Sequence, residues 1–226
     1  MLWINDITKL YNNTKGIKNF TLNCSNGDIV SLIGPNGSGK TTTIKIITGI
    51  LKPDKGKVIL DEEDTISASA KVNIGYMPDR LQMYEGMSVY EAMRLFTDYK
   101  YDGKYSDDIE QLLGDYELWK YRAVNISNLS MGMKKKLSIA IAFLGNPKLI
   151  VLDEPTNGLD TAGIIKLKEY ILDSKKRGRI IIISSHVLDF VESICDKNVF
   201  LYKGEIKLEE SHNKNLEDIY KRLYLE

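Results

Sequence analysis

Neither sign of charge is in excess in this sequence: 31 Lys and Arg residues offset 31 Asp and Glu, a formal net charge of +0. A protein whose main work is coating nucleic acid carries a basic surplus, so that class is disfavoured. Cysteine is scarce, and Cys24 with Cys195 cannot build a disulfide framework, which points to a reducing compartment. Long apolar runs are also missing. The most apolar stretches, Ile139–Leu144, Leu149–Leu152 and Ile180–Ile183, fall far short of the ~18–20 residues of a membrane span. Met1-Leu2-Trp3-Ile4-Asn5-Asp6 lacks the basic and long apolar regions of a secretory signal. Any membrane role is therefore expected to be borrowed from a partner. What is there is ordinary: 226 residues, 43% hydrophobic and 27% charged, which predicts one large globular domain rather than a disordered or fibrous chain. A chain this long buries enough surface to fold without staples.

The order of elements is an interrupted alternation. Leu2–Ile7 and Phe20–Cys24 alternate loosely as strands, and Ile29–Ile33 is a mostly apolar run, as a buried parallel strand is. A glycine-rich loop then leads into a helix over Thr42–Thr48, stopped by Gly49 and Pro53, and Val58–Leu60 reads as a short strand. Ser88 to Glu91 fits a capping box that opens a helix carrying Val89, Ala92, Met93 and Phe96 on one face. Ser106 before Asp107 and Asp108 marks a second helix start, and a third helix runs from near Met131 to the stop at Gly145-Asn146-Pro147. Strands return at Leu149–Leu152 and Arg179–Ser184, around a helix over Ala162–Asp173. The Lys175-Lys176-Arg177-Gly178 run after it suits a helix C-terminus better than a nucleic-acid contact. Val199–Tyr202 and Glu205–Leu208 flank Lys203-Gly204 as a hairpin. This order predicts an α/β core, residues 1–80 and 147–226, with a helical lobe inserted over about 81–146.

Gly34-Pro35-Asn36-Gly37-Ser38-Gly39-Lys40-Thr41 matches the phosphate-binding pattern G-x-x-x-x-G-K-[ST], and it sits where the chemistry needs it, between a buried strand and a helix. Glycines let backbone N–H groups turn inward around phosphate oxygens. Lys40 brings a point charge to the β- and γ-phosphates, Thr41 offers a hydroxyl to Mg²⁺, and the helix start adds its positive dipole end. Downstream, Leu149-Ile150-Val151-Leu152-Asp153-Glu154-Pro155 places two carboxylates at the end of an apolar strand, where open α/β sheets collect ligands. Asp153 is suited to hold Mg²⁺, and Glu154, expected on the opposite side of the strand, to polarise a water.

Three further pieces follow in order. Ser130 caps a predicted helix start in Leu129-Ser130-Met131-Gly132-Met133, Gly158-Leu159-Asp160 trails the acidic pair, and His186 follows the next strand. With these, the sequence resembles the nucleotide-binding domain of an ATP-binding cassette (ABC) transporter over nearly its whole length. The resemblance implies a P-loop NTPase (RecA-like) α/β core with an N-terminal antiparallel β subdomain and an inserted helical subdomain. It implies ATP and Mg²⁺ as ligands: Gly34 to Thr41 and Thr42 around the phosphates, Tyr11 stacked on adenine, and Thr41, Asp153 and Asp79 at the metal. It assigns Glu154, His186 and Lys40 to catalysis. Ser130, Gly132 and Asp160 would meet the nucleotide of a second cassette, in a homodimer or heterodimer. Integral membrane subunits would complete the transporter, with this chain cytoplasmic and peripheral on the inner face of the membrane, and no nucleic acid is expected.

Two departures stand out. The usual Leu-Ser-Gly-Gly-Gln signature is Leu129-Ser130-Met131-Gly132-Met133 here, a form similar to ATPase subunits of the exporter branch that works with separate membrane subunits. The glutamine that usually follows a Tyr-x-Pro-like stretch is replaced by Asp79 after Tyr76-Met77-Pro78. Asp79 can offer oxygen to Mg²⁺ but cannot donate a hydrogen bond, and it adds an anion near Asp153 and Glu154. The competing reading is a cytosolic regulatory or nucleic-acid-associated ABC ATPase, and a third is a small-molecule P-loop kinase. The basic run Lys134-Lys135-Lys136 is expected to be a solvated helix face.

Overall fold

A computed structural model describes residues 1–11, 15–81, 83–211 and 215–226. In chain order these form β1 (Leu2–Tyr11), β2 (Lys15–Cys24), β3 (Ile29–Ile33), α1 (Lys40–Ile47), β4 (Lys55–Leu60), β5 (Glu63–Asp64), α2 (Ala68–Val72) and β6 (Ile74–Met77). Then come α3 (Val89–Tyr101), α4 (Asp108–Asp115), α5 (Met131–Phe143), β7 (Leu149–Asp153), α6 (Thr161–Lys176), β8 (Ile180–Ser184), α7 (Leu188–Glu192), β9 (Lys197–Tyr202), β10 (Glu205–Ser211) and α8 (Leu216–Tyr224).

The central sheet runs β10-β9-β3-β8-β7-β6, with every pair parallel except the β9–β10 hairpin. Except for the edge strand β10, its strands are largely buried on both faces, so their residues divide by alternation. Ile29, Ile33, Ile150, Leu152, Ile181 and Ile183 face one apolar cluster with α3 to α8. Val30, Leu32, Leu149, Val151, Ile180 and Ile182 face the other, with α1 and the second sheet. That second sheet, ordered β2-β1-β4-β5, is antiparallel. The fold is thus a P-loop NTPase α/β core with an antiparallel β layer and a helical insertion.

β1 and β2 are longer than their alternation suggested. One face is solvated, so lysine, asparagine and threonine interleave with buried Leu2, Ile4, Ile7, Ile17, Phe20 and Leu22, and register shifts near Ile7 disturb the period. The hairpin expected at Lys203-Gly204 forms, with φ of 50° and 84° at its two turn residues, the left-handed pair that a two-residue turn uses. The capping box at Ser88 also forms: Ser88 Oγ accepts from the Glu91 amide at 3.2 Å, and Glu91 accepts from the Ser88 amide at 2.8 Å. Ser106 does not cap α4. Its hydroxyl donates to the Gly103 carbonyl at 2.7 Å instead, and α4 starts later, at Asp108. The five-residue helices α2 and α7 are too short to carry a periodic signal, whereas α8 is amphipathic and buries Leu216 and Ile219.

Helix α5 is buried along most of its length and lies hard against β6. A Cβ on Gly75 would come within 1.9 Å of the Ala142 carbonyl oxygen, so only glycine permits this approach. Gly75→Ala should therefore cost about 1–3 kcal/mol in urea denaturation, the order expected for forced overpacking. Gly114 sits in α4 with open space around its missing Cβ, and Gly114→Ala should stabilise by about 0.5–1 kcal/mol in the same measurement.

Candidate active site

Parallel strands put their C-terminal ends on one edge, and the candidate residues leave the sheet from that edge. Gly34 follows β3, Asp79 follows β6, Asp153 ends β7 with Glu154 just beyond, His186 follows β8 and Lys203 follows β9.

The loop after β3 is built by close approach. Gly37 and Gly39 take φ of 79° and 111°, and a Cβ on Gly34 would sit 2.3 Å from the Leu201 carbonyl oxygen. From the loop's end, α1 points its N-terminus back along Lys40 and Thr41. Lys40 Nζ folds over the loop and donates to the carbonyls of Gly34 at 2.6 Å and Pro35 at 3.3 Å. Burial holds this ammonium below its ordinary pKa, while Glu154 and Asp153 pull it back up. The Ser38 hydroxyl is buried without a hydrogen-bond partner among the described residues. An orphaned donor beside glycine amides fits a phosphate oxygen arriving from outside.

A cleft of about 660 Å³ opens over this loop. It is lined by Tyr11, Asn36, Gly37, Ser38, Gly39, Lys40, Thr41 and Thr42 together with Asp79, Asp153 and Glu154. Tyr11 is 45% exposed at the end of β1, as a platform for a flat ring must be. Lys15, Gly16 and Lys203 line the cleft as well, and sequence reasoning missed them. Their signals were faint: a lysine at a strand start and one in a hairpin turn.

Asp153 is almost fully buried and accepts a hydrogen bond from the Ser184 hydroxyl. Burial raises its pKa, the Ser184 bond lowers it, and the nearby Glu154 and Asp79 raise it further. A cation arriving at this carboxylate would relieve all three raising effects. Among the described residues no cluster of three or more His, Cys, Asp or Glu could hold a metal ion. Two protein oxygens, from Thr41 and Asp153, with waters and phosphate filling the rest, suit Mg²⁺, which keeps much of its hydration shell.

Glu154 does not follow the alternation expected of it. The strand ends at Asp153, and Glu154 takes a left-handed φ of 50°, so both carboxylates line the same cleft. Its amide donates to the Ser184 carbonyl at 3.0 Å and to the Ser184 hydroxyl at 3.1 Å. Its carboxylate pairs with His186 Nδ1 at 2.8 Å and accepts from the His186 amide at 3.3 Å. With the ring proton on Nδ1, the carboxylate accepts it and Nε2 stays free.

Ser130, Gly132 and Asp160 do not line the cleft. Ser130 caps α5, accepting from the Met133 amide at 3.2 Å, and Asp160 caps α6, accepting from the Gly163 amide at 2.8 Å. The Gly163 bond, then Lys136, holds the Asp160 carboxyl below its ordinary pKa. A Cβ on Gly132 would meet the Gly158 carbonyl oxygen at 2.9 Å, so the first turn of α5 and the loop before α6 pass close with no side chain between them.

The lysine run is not a solvated face. Lys134 pairs with Glu85 at 3.4 Å, and Lys136 with Asp160 at 3.3 Å and Glu117 at 3.8 Å. Lys135 is only 7% exposed; its ammonium donates to the Asp79 carbonyl at 3.0 Å and lies 3.7 Å from Asp79 Oδ1. The segment after Met77 brings Asp79 over α5, so the middle lysine turns inward toward it. The basic cluster at the end of α6 does behave as a cap: Gly178 has φ of 74°, and Lys175 pairs with Asp196.

A larger, more apolar groove of about 870 Å³ lies between the central sheet and the inserted helices. Ile50, Val72, Leu81, Met83, Phe96 and Tyr99 line it, and it shares Thr41, Asp79 and Asp153 with the cleft.

Comparison with known proteins gives one answer. The ABC transporter family model matches residues 17–157. The lantibiotic transport ATP-binding protein SrtF of Streptococcus pyogenes is 36% identical over 222 residues, 97% of this chain and 96% of that protein. The lipopolysaccharide export system ATP-binding protein LptB of Escherichia coli (strain K12) is 29% identical over 228 residues, 97% of this chain and 95% of that one. Among solved structures, an ATP binding subunit of an ABC transporter superposes with a TM-score of 0.87 at 30% identity, covering 99% of this chain and 93% of the other. The ATP-binding cassette MJ0796, a dimer in a post-hydrolysis state bound to ADP and Pi, gives 0.86 at 25% identity, over 95% of this chain and 100% of that one. The phosphate loop, the paired carboxylates and the capped α5 thus lie in a chain that belongs to the ABC transporter family, as one of its ATPase cassettes.

Proposed function

We propose that this chain hydrolyses Mg²⁺-bound ATP within a head-to-tail pair of cassettes, and that the cycle drives export of a substrate through separate membrane subunits. One observation carries the reading: Ser130 and Gly132 lie outside the cleft that holds the phosphate loop and both carboxylates. A γ-phosphate in that half-open cleft lacks enclosure, and the exposed start of α5, where Met131 is 74% exposed, is free to close a partner's cleft. The dimeric form of the MJ0796 cassette supports the pairing. The names of SrtF and LptB, which are transport and export proteins, support the direction.

Within each site Tyr11 stacks on the base, and the amides of Gly34 to Thr42 with Lys40 hold the phosphates. Thr41 and Asp153 would hold the metal, with Asp79 lining the same cleft, and a bound Mg²⁺ would neutralise charge on the phosphate oxygens. Glu154 orients the attacking water. His186 holds that carboxylate through Nδ1–H and, with both ring nitrogens protonated, donates Nε2–H to the γ-phosphate, so one ring aligns two functions. The partner's start of α5 excludes water on closure. Asp160, at the head of α6, takes part in that interface.

None of the described helices is long and apolar enough to cross a membrane. On this reading a cytoplasmic segment of the membrane subunit seats in the apolar groove, beside Thr41, Asp79 and Asp153, and holds the chain on the inner face. The lysines of the α5 run are each engaged by an acid, so that run offers no support for a nucleic-acid partner.

Glu154→Gln should lower kcat by about 10²–10⁴ while retaining ATP affinity, and size-exclusion chromatography with saturating ATP should show a dimer. A monomer under those conditions would remove the head-to-tail scheme. Tyr11→Ala should raise the ATP Kd by the equivalent of about 1–3 kcal/mol, measured by calorimetry, with the same loss for GTP because stacking reads no base edges.

A further inference from the structure

The buried Lys135 is the group that the proposed cycle leaves without a task. Lysine is almost never buried unless paired, and here a single residue, Asp79, supplies its partners through both carbonyl and carboxylate. The Asp79 carboxylate, half-exposed, lines the nucleotide cleft with Asp153 and Glu154. Glu154 and Asp79 both raise the pKa of Asp153, so the three carboxylates of this cleft repel one another although they do not converge as one ligand cluster. The other ammonium close to them, Lys40, is occupied with the phosphate loop carbonyls. Lys135 enters from the opposite side, from α5.

We infer that Lys135 is a positioning residue for the metal site: it holds the Asp79 carboxylate at the edge of the cleft and offsets the extra anion that Asp79 introduces. The contact spans two elements, since Asp79 follows β6 while Lys135 stands on the helix that Ser130 caps. A carboxylate drawn toward the metal must loosen its grip on Lys135, and one held by Lys135 is kept from the metal. The two interactions compete for one side chain. The inference rests on the Mg²⁺-ATP reading above, and adds to it a residue whose charge sets how tightly the metal is taken.

The test is calorimetric titration of Mg²⁺ into the full-length chain complexed with a non-hydrolysable ATP analogue, compared with free analogue. Lys135→Met keeps the aliphatic stem and removes the charge. It should tighten Mg²⁺ by about fivefold, the order expected for one partly screened charge, with analogue affinity in EDTA unchanged. Lys135→Arg, which keeps the charge, should bind Mg²⁺ within about twofold of the parent. On an Asp79→Asn background, Lys135→Met should shift Mg²⁺ affinity little, because the side chain it releases is no longer an anion. Equal Mg²⁺ affinity in the parent and Lys135→Met overturns the inference, and so does an undiminished shift on the Asp79→Asn background. A lowered melting temperature with no change in Mg²⁺ binding assigns Lys135 to structure alone and also overturns it. If Lys135→Met does not fold, Lys135→Gln, which retains polarity, carries the same comparisons. A parent chain that fails to bind the analogue with Mg²⁺ would instead refute the proposed function itself.

Discussion

The hydroxyl of Ser184 holds the two halves of the candidate chemistry together. Because β7 and β8 run parallel in register, Asp153 lies opposite Ser184, and that hydroxyl donates to the Asp153 carboxylate while accepting from the Glu154 amide. It is fully buried, so water does not compete for either bond. The sheet register thereby becomes a distance between two carboxylates, one proposed for a metal and one for a water. The left-handed backbone at Glu154 is kept in place by the same residue, whose carbonyl accepts from the Glu154 amide. His186 then fixes the far end of the glutamate. A strained backbone angle persists only where its surroundings over-determine it, and here three contacts do so.

Charge is the second constraint. Asp79, Asp153 and Glu154 crowd one cleft, and burial with mutual repulsion raises the pKa of Asp153. Lys40 and Lys135 approach this crowd from different elements, one bound to the phosphate loop and one to Asp79. The chain is neutral overall, yet its local field is strongly patterned. A balanced total says nothing of such a pattern, because the sum discards position.

How much the sequence discloses depends on whether the information is local. The phosphate loop is legible because one contiguous stretch contains its glycines, its lysine and its flanking strand and helix. The buried strands are legible because both of their faces are apolar. The longer reach of β1 and β2 is hidden, since a half-solvated strand with shifted register mixes polar and apolar residues irregularly. The side on which Glu154 emerges depends on one φ angle that strand alternation misstates. Lys135 reads as solvated because its partner lies far away in sequence, at Asp79, and no helical period encodes a contact across that span. Lys15 and Lys203 reach the cleft for the same reason: the turn and strand end that bear them meet the phosphate loop only after folding.

Gly132 touches the Gly158 carbonyl with no side chain between them. On the head-to-tail reading, Gly132 faces the nucleotide held by the partner, whereas Gly158 lies just downstream of Glu154, which faces the nucleotide held by its own chain. On that reading one backbone contact would lie between the two proposed centres of the pair. No side chain separates the two segments, so a shift at Gly158 would press directly on the start of α5. A pair built this way would pass a movement from one site to the other through main chain alone.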